Sequence, residues 1–321
     1  MLDAIEPAEG VQVTQEHVQL TRLFALLHDV FHVPFGHTLE DEFCIFPRHD
    51  KHLDRIERFA GAESSIGGKI VESLGSELHQ RLMRLFQGKE RVLAQDGFIL
   101  DLVTNSVCAD LLDYLQRDSF FCNISMDSDY RFLRHLTVVQ HAGQTRLAIR
   151  LWKEGKSTPR RDVLNELIRL LDNRYLMSER VYFHHAKIVA GTMIAAAVSR
   201  AIASGELRED ELYHLGDDTL LYRLSQCGEP NVRRLTDGIT CRTLWKRIYE
   251  RGRALVMAEQ HASRTVNVMQ DLMKRFHTDP AQRMNAESRL AGLMNMPDGD
   301  LLIYCPNERM SMKMADCMVF W

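Results

Sequence analysis

The sequence lacks several features that would place a protein in a class at once. Its seven cysteines are scattered and no two of them have CxxC spacing, which leaves no zinc knuckle or dithiol redox motif. No secretory signal sequence is recognisable, so the odd number of cysteines predicts a reducing, cytoplasmic environment. The longest apolar run, Ile188–Val198, is too short to span a bilayer, and it therefore predicts a buried core helix and no membrane partner.

A strong excess of charge of one sign is lacking too. The formal net charge is -4, whereas proteins that bind nucleic acid without specificity usually carry a basic excess. Charge therefore gives no indication of a nucleic-acid partner, although a few basic residues can still converge on a small anionic substrate. Hydrophobic residues make up 45% of the 321 residues, which is sufficient for a substantial buried core.

What the chain does have is apolar spacing typical of helices, with few runs of alternating β-branched residues. The first predicted helix has Thr14 as its N-cap, apolar residues as far as Phe31, and Pro34 and Gly36 at its end. Further helices are predicted at 50–60, 67–87, 99–118, 161–174, 178–204, 210–225, 240–260 and 263–275. The sequence therefore predicts an all-α, or mainly α, fold.

Two short β-hairpins are predicted as exceptions to the helical pattern. One falls within Phe132–Trp152. The other lies near the C-terminus, where Asp300–Pro306 and Met310–Trp321 are predicted as strands around a turn at Asn307 and Glu308. The last strand runs to the final residue, so we expect the natural sequence to continue.

The first group of residues suited to chemistry stands at the end of the first predicted helix. His28, Asp29, His32 and His37 place three histidines and one aspartate within ten residues. Neutral imidazoles and carboxylates together suit divalent first-row metal ions. His32 follows His28 by four residues, so both side chains can face one cavity. The alternative is that these residues only cap the helix or lie on the surface, as isolated histidines commonly do.

A second group occupies the predicted helix around residues 108–119. Asp110, Tyr114 and Asp118 are spaced i, i+4 and i+8, which puts them in one polar stripe. The alternative is a solvated face with an ion pair to Arg117. Asp113 points away from the stripe, so Asp110 ranks above it as a metal ligand.

A third group precedes the apolar helix. Arg174 and Tyr182 are eight residues apart, which corresponds to two turns on one helical face, and Arg180 lies between them. An arginine suits phosphate because its guanidinium donates two parallel hydrogen bonds. A partly exposed amphipathic helix without a ligand is the alternative.

Together these groups resemble the HD-domain superfamily of metal-dependent phosphohydrolases. The run His28-Asp29, His32, Pro34-Phe35 and His37 is similar to that of the branch of deoxynucleoside triphosphate triphosphohydrolases, which includes the vertebrate SAM-and-HD-domain protein. The resemblance implies that His28, Asp29 and Asp110 bind a divalent metal ion (Mn, Mg, Fe, Zn or Ni). It also implies an organisation into an HD core over 1–125, a helical extension completing the substrate pocket over 126–290, and the start of a β-containing region over 291–321.

The resemblance further implies roles for the surrounding side chains. Its substrate-binding residues are Tyr114, Asp118, Arg174, Arg180 and Tyr182, with the sugar beside the tyrosines and Asp118 and the triphosphate beside Arg174. Its catalytic or electrostatic residues are His32, His37, Glu40 and His49, with Glu40 supporting His37. Ser178 and His185 stand where the branch often has histidine and lysine, which leaves the substrate's identity open.

The implied reaction converts a dNTP into a deoxynucleoside and triphosphate, in a homo-oligomeric enzyme. One alternative is another HD phosphohydrolase, either a nucleotidase or a phosphodiesterase. A second is a non-catalytic nucleotide sensor or scaffold, because the branch has a further histidine ligand well upstream of the His-Asp pair. Only 27 residues precede His28, so we expect the chain to begin after that ligand and its activity to be incomplete.

Overall fold

The structure is a computed structural model that describes residues 1–127, 129–152, 158–250, 268–307 and 319–320. The predicted mainly α fold is confirmed. The helices are α1 (Gln15–Leu27), α2 (Leu53–Ala60), α3 (Ser65–Leu74), α4 (Ser76–Phe86), α5 (Gly97–Thr104), α6 (Ala109–Phe121), α7 (Arg161–Met177), α8 (His185–Ala203), α9 (Glu209–Leu212), α10 (Asp217–Ser225), α11 (Pro230–Thr240), α12 (Val268–Phe276) and α13 (Pro280–Leu293). The strands are β1 (Leu136–His141), β2 (Gln144–Arg150) and β3 (Val319–Phe320).

The chain forms two compact units that are not contiguous in sequence. The first unit comprises Met1–Phe31, His49–Val181 and β3, and the second comprises His32–Arg48 and the described residues of Tyr182–Lys313. The chain thus crosses between the units three times before residue 182. The boundaries at 125 and 290 that the resemblance implied remain predictions.

The first unit packs its helices around a core rich in phenylalanine. The ring of Phe86 on α4 lies 5.5 Å from that of Phe24 on α1 and 4.8 Å from that of Phe31, and all three side chains are buried. The predicted N-cap of α1 is confirmed, since the Thr14 hydroxyl accepts a hydrogen bond from the backbone amide of His17. The cap at Thr14 and the packing of Phe24 fix the position of α1, and therefore the position of its last turn.

The predicted hairpin within Phe132–Trp152 is confirmed as β1 and β2, which pair antiparallel. Ala142 and Gly143 form its loop, and both have positive φ (49° and 78°), as a two-residue turn matching the twist of the strands requires. The Asp101 carboxylate on α5 accepts hydrogen bonds from the Arg146 guanidinium (2.6 and 2.9 Å) and the Leu147 amide (3.1 Å). The hairpin is thereby fastened to the helical core.

The second unit is built around α8. Met193, Ala197 and Val198 of this helix are completely buried, within a core that also includes Leu39 and Phe43. Within the described part of the chain, α8 is the one helix long and apolar enough to cross a membrane by composition alone. Its burial confirms the prediction that the apolar run at 188–198 is a core helix.

Several predicted boundaries are wrong for identifiable reasons. The helix predicted over 67–87 is divided at Gly75, whose φ of 87° is outside the helical range. Likewise, 99–118 and 210–225 each contain two helices, and α1 ends at Leu27 instead of extending to Phe31. Residues 241–250 are not helical, and the rest of the helix predicted over 240–260 lies outside the described residues.

The hairpin predicted near the C-terminus is also corrected. Residues 301–307 carry no strand, although 300–306 is rich in apolar residues. The β3 strand pairs in parallel with β2, with Val319 opposite Ile149 and Phe320 opposite Arg150. Whether a segment becomes a strand here depends on which other strand lies beside it in the folded protein. The alternation of apolar and polar residues in the sequence does not show which strand that is. Residues 308–318 and 321 lie outside the described part.

Candidate metal centre

The first ligand of the candidate centre is His28, which caps the C-terminal end of α1. Its Nδ1 atom lies 2.9 Å from the carbonyl oxygen of Ala25. Because a carbonyl oxygen only accepts, Nδ1 carries the ring hydrogen, and Nε2 of the neutral ring keeps its lone pair. This is the tautomer that a metal-binding histidine needs, with its second nitrogen fixed by the backbone.

Two carboxylates converge on that nitrogen within the first unit. Nε2 of His28 lies 3.4 Å from Oδ1 of Asp29 and 3.7 Å from Oδ1 of Asp110, which comes from the first turn of α6. All three ligand atoms lie within 4.8 Å of one another. Ligand atoms at bonds of about 2.1 Å in a tetrahedral site would be roughly 3.4 Å apart. The three side chains therefore fit a divalent ion, as the resemblance implied.

The environment of His28 supports the same conclusion. Nε2 is buried and has no hydrogen-bond partner among the described residues, which for a polar atom is unfavourable unless something else satisfies it. Burial disfavours the charged imidazole, but the neighbouring Asp110 and Asp29 carboxylates outweigh that effect and raise the pKa of His28. The site thus favours a bound positive charge at this nitrogen.

The choice of Asp110 over its neighbour Asp113 agrees with the geometry. Asp113 is exposed and forms an ion pair with Arg117, one turn further along α6. Asp110 instead faces His28, 3.7 Å away. The ion pair that the sequence offered as the alternative for the whole stripe therefore engages Asp113 and not Asp110.

His49 lies next to one carboxylate of the candidate centre. Its Nε2 atom is 3.9 Å from Oδ1 of Asp29, and its side chain is buried. That distance is too long for a hydrogen bond but places a second imidazole beside the same carboxylate. His49 begins a short 3₁₀ helix, His49–Lys51, just before α2. Its predicted catalytic role is not tested by this placement.

The polar stripe of α6 shares its electrostatic surroundings with Arg174 of α7. Burial raises the pKa of Tyr114 to about 12; the nearby Arg174 charge opposes this rise, while Asp110 and Asp118 add to it. Tyr114 therefore stays a neutral hydroxyl at physiological pH. Electrostatic interaction of Tyr114 with groups on both helices shows that Asp110, Asp118 and Arg174 share one neighbourhood in the first unit.

The end of α7 departs from the predicted geometry. The sequence predicts Arg174 and Tyr182 on one face of a continuous α-helix, but Ser178–Tyr182 is π-helical. In a π-helix hydrogen bonds run from i to i+5, so the 100° per residue behind that prediction does not hold beyond Met177. Arg180 is exposed on this turn, and Tyr182 belongs to the second unit.

His32, His37 and Glu40 also lie in the second unit. Glu40 is buried, and its Oε2 atom lies 3.2 Å from Nδ1 of His32. Nδ1 of His37 lies 2.7 Å from Oδ2 of Asp41. Asp41 is thus a carboxylate partner of His37, in a stretch that forms a π-helix (Thr38–Glu42). The support of His37 by Glu40, which the resemblance implied, stays a prediction. The catalytic roles of these residues stay predictions.

One residue near the centre was missed by sequence reasoning. Arg55 on α2 is only 1% exposed, and its Nη1 atom donates a hydrogen bond to the carbonyl oxygen of Phe31, 3.2 Å away. Arginine is rarely this deeply buried. In the sequence it stands beside Ile56 in an ordinary amphipathic pattern, and nothing in that pattern marks it.

The chain is similar to several known proteins. Residues 167–319 match the family model described as the HD associated region. The chain is 26% identical over 257 residues to the deoxynucleoside triphosphate triphosphohydrolase SAMHD1 homolog of Dictyostelium discoideum, covering 75% of this chain and 46% of that protein. It is also similar to uncharacterized proteins of Methanocaldococcus jannaschii (30% over 212 residues, 64% of this chain and 39% of that protein) and Bacillus subtilis (YwfO, 22% over 180 residues, 55% and 36%).

These matches support an HD-domain phosphohydrolase family, which the resemblance in the sequence had implied. The aligned segments span less than half the length of the curated relatives. The narrower assignment to the dNTP triphosphohydrolase branch and the expected homo-oligomer remain proposals.

Proposed function

We propose that this protein is a metal-dependent phosphohydrolase that hydrolyses a dNTP to a deoxynucleoside and triphosphate. The observation that carries the proposal is the convergence of His28, Asp29 and Asp110 around a buried imidazole nitrogen with no hydrogen-bond partner in the described structure. A divalent ion held by these three side chains would act as a Lewis acid on a phosphoryl oxygen and lower the pKa of bound water.

The other side chains of the first unit bind and orient the substrate. Arg174 carries the charge that suits a phosphate, and an arginine pairs with phosphate oxygens through two parallel hydrogen bonds. Tyr114 stays protonated, so its hydroxyl can donate to a sugar oxygen, and the Asp118 carboxylate can accept from a sugar hydroxyl. His49, buried beside Asp29, is the candidate acid–base group of this unit.

The dNTP is preferred over other phosphate esters for two reasons. A polar stripe of tyrosine and carboxylate next to the ligands offers hydrogen-bond partners for a sugar as well as for phosphate. In addition, the Dictyostelium relative carries the name of a deoxynucleoside triphosphate triphosphohydrolase. A nucleoside monophosphate also carries a sugar and a phosphate, so the name of this relative is what favours the triphosphate.

The test is a panel of dNTPs, NTPs, nucleoside monophosphates and cyclic nucleotides, with Mn²⁺ or Mg²⁺ added to the full chain. Triphosphate and orthophosphate are quantified separately by ion chromatography. We expect triphosphate from dNTPs, no activity in the Asp29→Asn variant, and activity close to that of the unmodified chain in Asp113→Asn.

The remaining outcomes assign the other functions. Release of orthophosphate from monophosphates, or opening of cyclic nucleotides, would identify a different HD phosphohydrolase. Tight binding of Mn²⁺ and of a nucleotide without turnover would identify a sensor or scaffold. Failure of calorimetry to detect any divalent ion binding to the chain would remove the basis of the proposal.

A further inference from the structure

Arg55 occupies a position that core packing alone does not explain. Its side chain is among the largest that are fully buried, at 1% exposure. Removing a guanidinium from water is unfavourable, and apolar side chains of similar volume often stabilise such positions better. The structures that a buried arginine holds in place through its hydrogen bonds therefore need to be identified.

The bond that Arg55 donates has a specific target. Nη1 reaches the carbonyl oxygen of Phe31, which lies two residues after Asp29 in the turn that follows α1. This turn has left the helix, so regular helical bonding no longer fixes its backbone. The charged guanidinium of Arg55, on α2, therefore restrains the backbone of this turn at Phe31, two residues after Asp29.

The segment carrying Arg55 meets the same turn a second time. His49 stands in the short 3₁₀ helix before α2 and places its Nε2 atom 3.9 Å from Oδ1 of Asp29. His52, which lies between His49 and Arg55 in the sequence, caps α2. Its Nδ1 atom accepts a hydrogen bond from the backbone amide of Arg55 (3.1 Å). The segment from His49 to Arg55 therefore approaches the turn at two points, the Asp29 side chain and the Phe31 carbonyl oxygen.

We propose that Arg55 is a positioning residue of the metal centre, which holds the turn at residues 28–31 so that His28 and Asp29 meet Asp110 at ligand distance. This inference depends on the proposed function, because it presupposes that these three residues bind a divalent ion. Groups that orient the ligands of a metal ion without touching it typically change its affinity by about 10- to 100-fold.

The experiment measures Mn²⁺ binding to the full chain by calorimetry, together with the thermal unfolding midpoint and the electron paramagnetic resonance spectrum of bound Mn²⁺. Arg55→Met removes both the donor and the charge at similar volume, and Arg55→Lys keeps the charge but has no planar fork. Arg22→Gln is the matched control, since Arg22 is an exposed arginine on α1, the helix that delivers His28.

We expect the Kd of Arg55→Met for Mn²⁺ to rise at least about 10-fold. The resonance spectrum should change, and the unfolding midpoint should stay near that of the parent. Arg55→Lys should bind between the two, and Arg22→Gln like the parent. A purely structural arginine would lower the midpoint and leave the affinity of the folded protein unchanged.

Two results would overturn the assignment: a folded Arg55→Met variant whose Kd lies within twofold of the parent, or, where Arg55→Met does not fold, an Arg55→Lys variant whose Kd equals that of the parent. Failure of the parent chain to bind Mn²⁺ would instead overturn the proposed function, so the two failures are distinguishable.

Discussion

Nε2 of His28 lies 3.7 Å from Oδ1 of Asp110, although the two residues come from helices far apart in the sequence. Each is placed by a helix end. His28 is the C-cap of α1, and Asp110 stands in the first turn of α6, which Cys108 caps by accepting the Leu111 amide. A carboxylate is favoured at a helix N-terminus, so this position suits an ionised ligand.

The first prediction concerns that carboxylate. Asp110→Asn removes one anionic ligand and should weaken Mn²⁺ binding at least about 10-fold, since even indirect partners of a bound metal ion have effects of that size. Asp113→Asn, on the same helix but paired with Arg117, should leave the Kd unchanged. Calorimetric titration of both variants decides the matter. Equal losses in both would show that α6 contributes only general negative charge.

The second prediction tests the substrate cation. Arg174→Gln should reduce kcat/KM for a dNTP by about 10- to 100-fold, because hydrogen bonds to charged groups contribute about 1.5–3 kcal/mol. Arg169→Gln is the control, since Arg169 lies on the same helix and forms ion pairs with Asp127 and Glu166. Steady-state kinetics with Mn²⁺ measure both. An Arg174→Gln enzyme with unchanged kcat/KM would remove Arg174 from the substrate site.

The third prediction concerns the stability of the first unit. Asp96 is buried and accepts two hydrogen bonds from Arg81 (3.1 and 2.8 Å), and His17 lies 3.4 Å away. Asp96→Asn should lower the free energy of unfolding by about 3 kcal/mol, because it removes the buried counter-charge of the Arg81 guanidinium and leaves only the exposed Glu16. Glu16→Gln, at an exposed partner of the same arginine, should change it by less than about 1 kcal/mol. Urea unfolding at pH 7 compares them.

The pKa of Asp96 determines how the stability of the folded protein changes at acid pH. Burial opposes ionisation of Asp96, but the neighbouring His17 ring and the hydrogen bonds from Arg81 outweigh it and lower its pKa below the ordinary value. The stabilisation is therefore complete above the pKa of an unfolded aspartate and disappears as the pH falls through the lowered value. Asp96→Asn should flatten the acid limb of a plot of stability against pH. An unaltered acid limb would contradict this assignment.

The fourth prediction concerns Glu287 of the second unit, whose pKa burial raises to about 7. The folded protein favours the protonated acid, so stability is complete below the unfolded pKa and falls as the pH rises towards 7. Glu287→Gln keeps an acceptor for the Ile303 amide and should remove this decline, a gain of up to roughly 3 kcal/mol at pH 8. Thermal unfolding between pH 5 and pH 8 measures it, with the exposed Glu209→Gln as control.

Much of the fold was predictable where a local signal controls the structure. Thr14 caps α1 as predicted because capping depends on neighbours within one turn. Two helices were missed despite such signals. Glu229-Pro230 and Asp279-Pro280 each place a capping acid before proline, which favours a helix start at α11 and α13. The strand predicted over 300–306 failed because its partner was never determined by local sequence.

The sequence by itself determined the chemistry of the candidate centre. It identified His28-Asp29 and the stripe at Asp110, since ligand type and helical spacing are local properties. Only the tertiary structure decided which nitrogen of His28 faces the carboxylates, that Asp41 accompanies His37, and that Arg55 is buried behind the turn. These depend on contacts between segments distant in sequence, and one chain's residue pattern contains no record of such contacts.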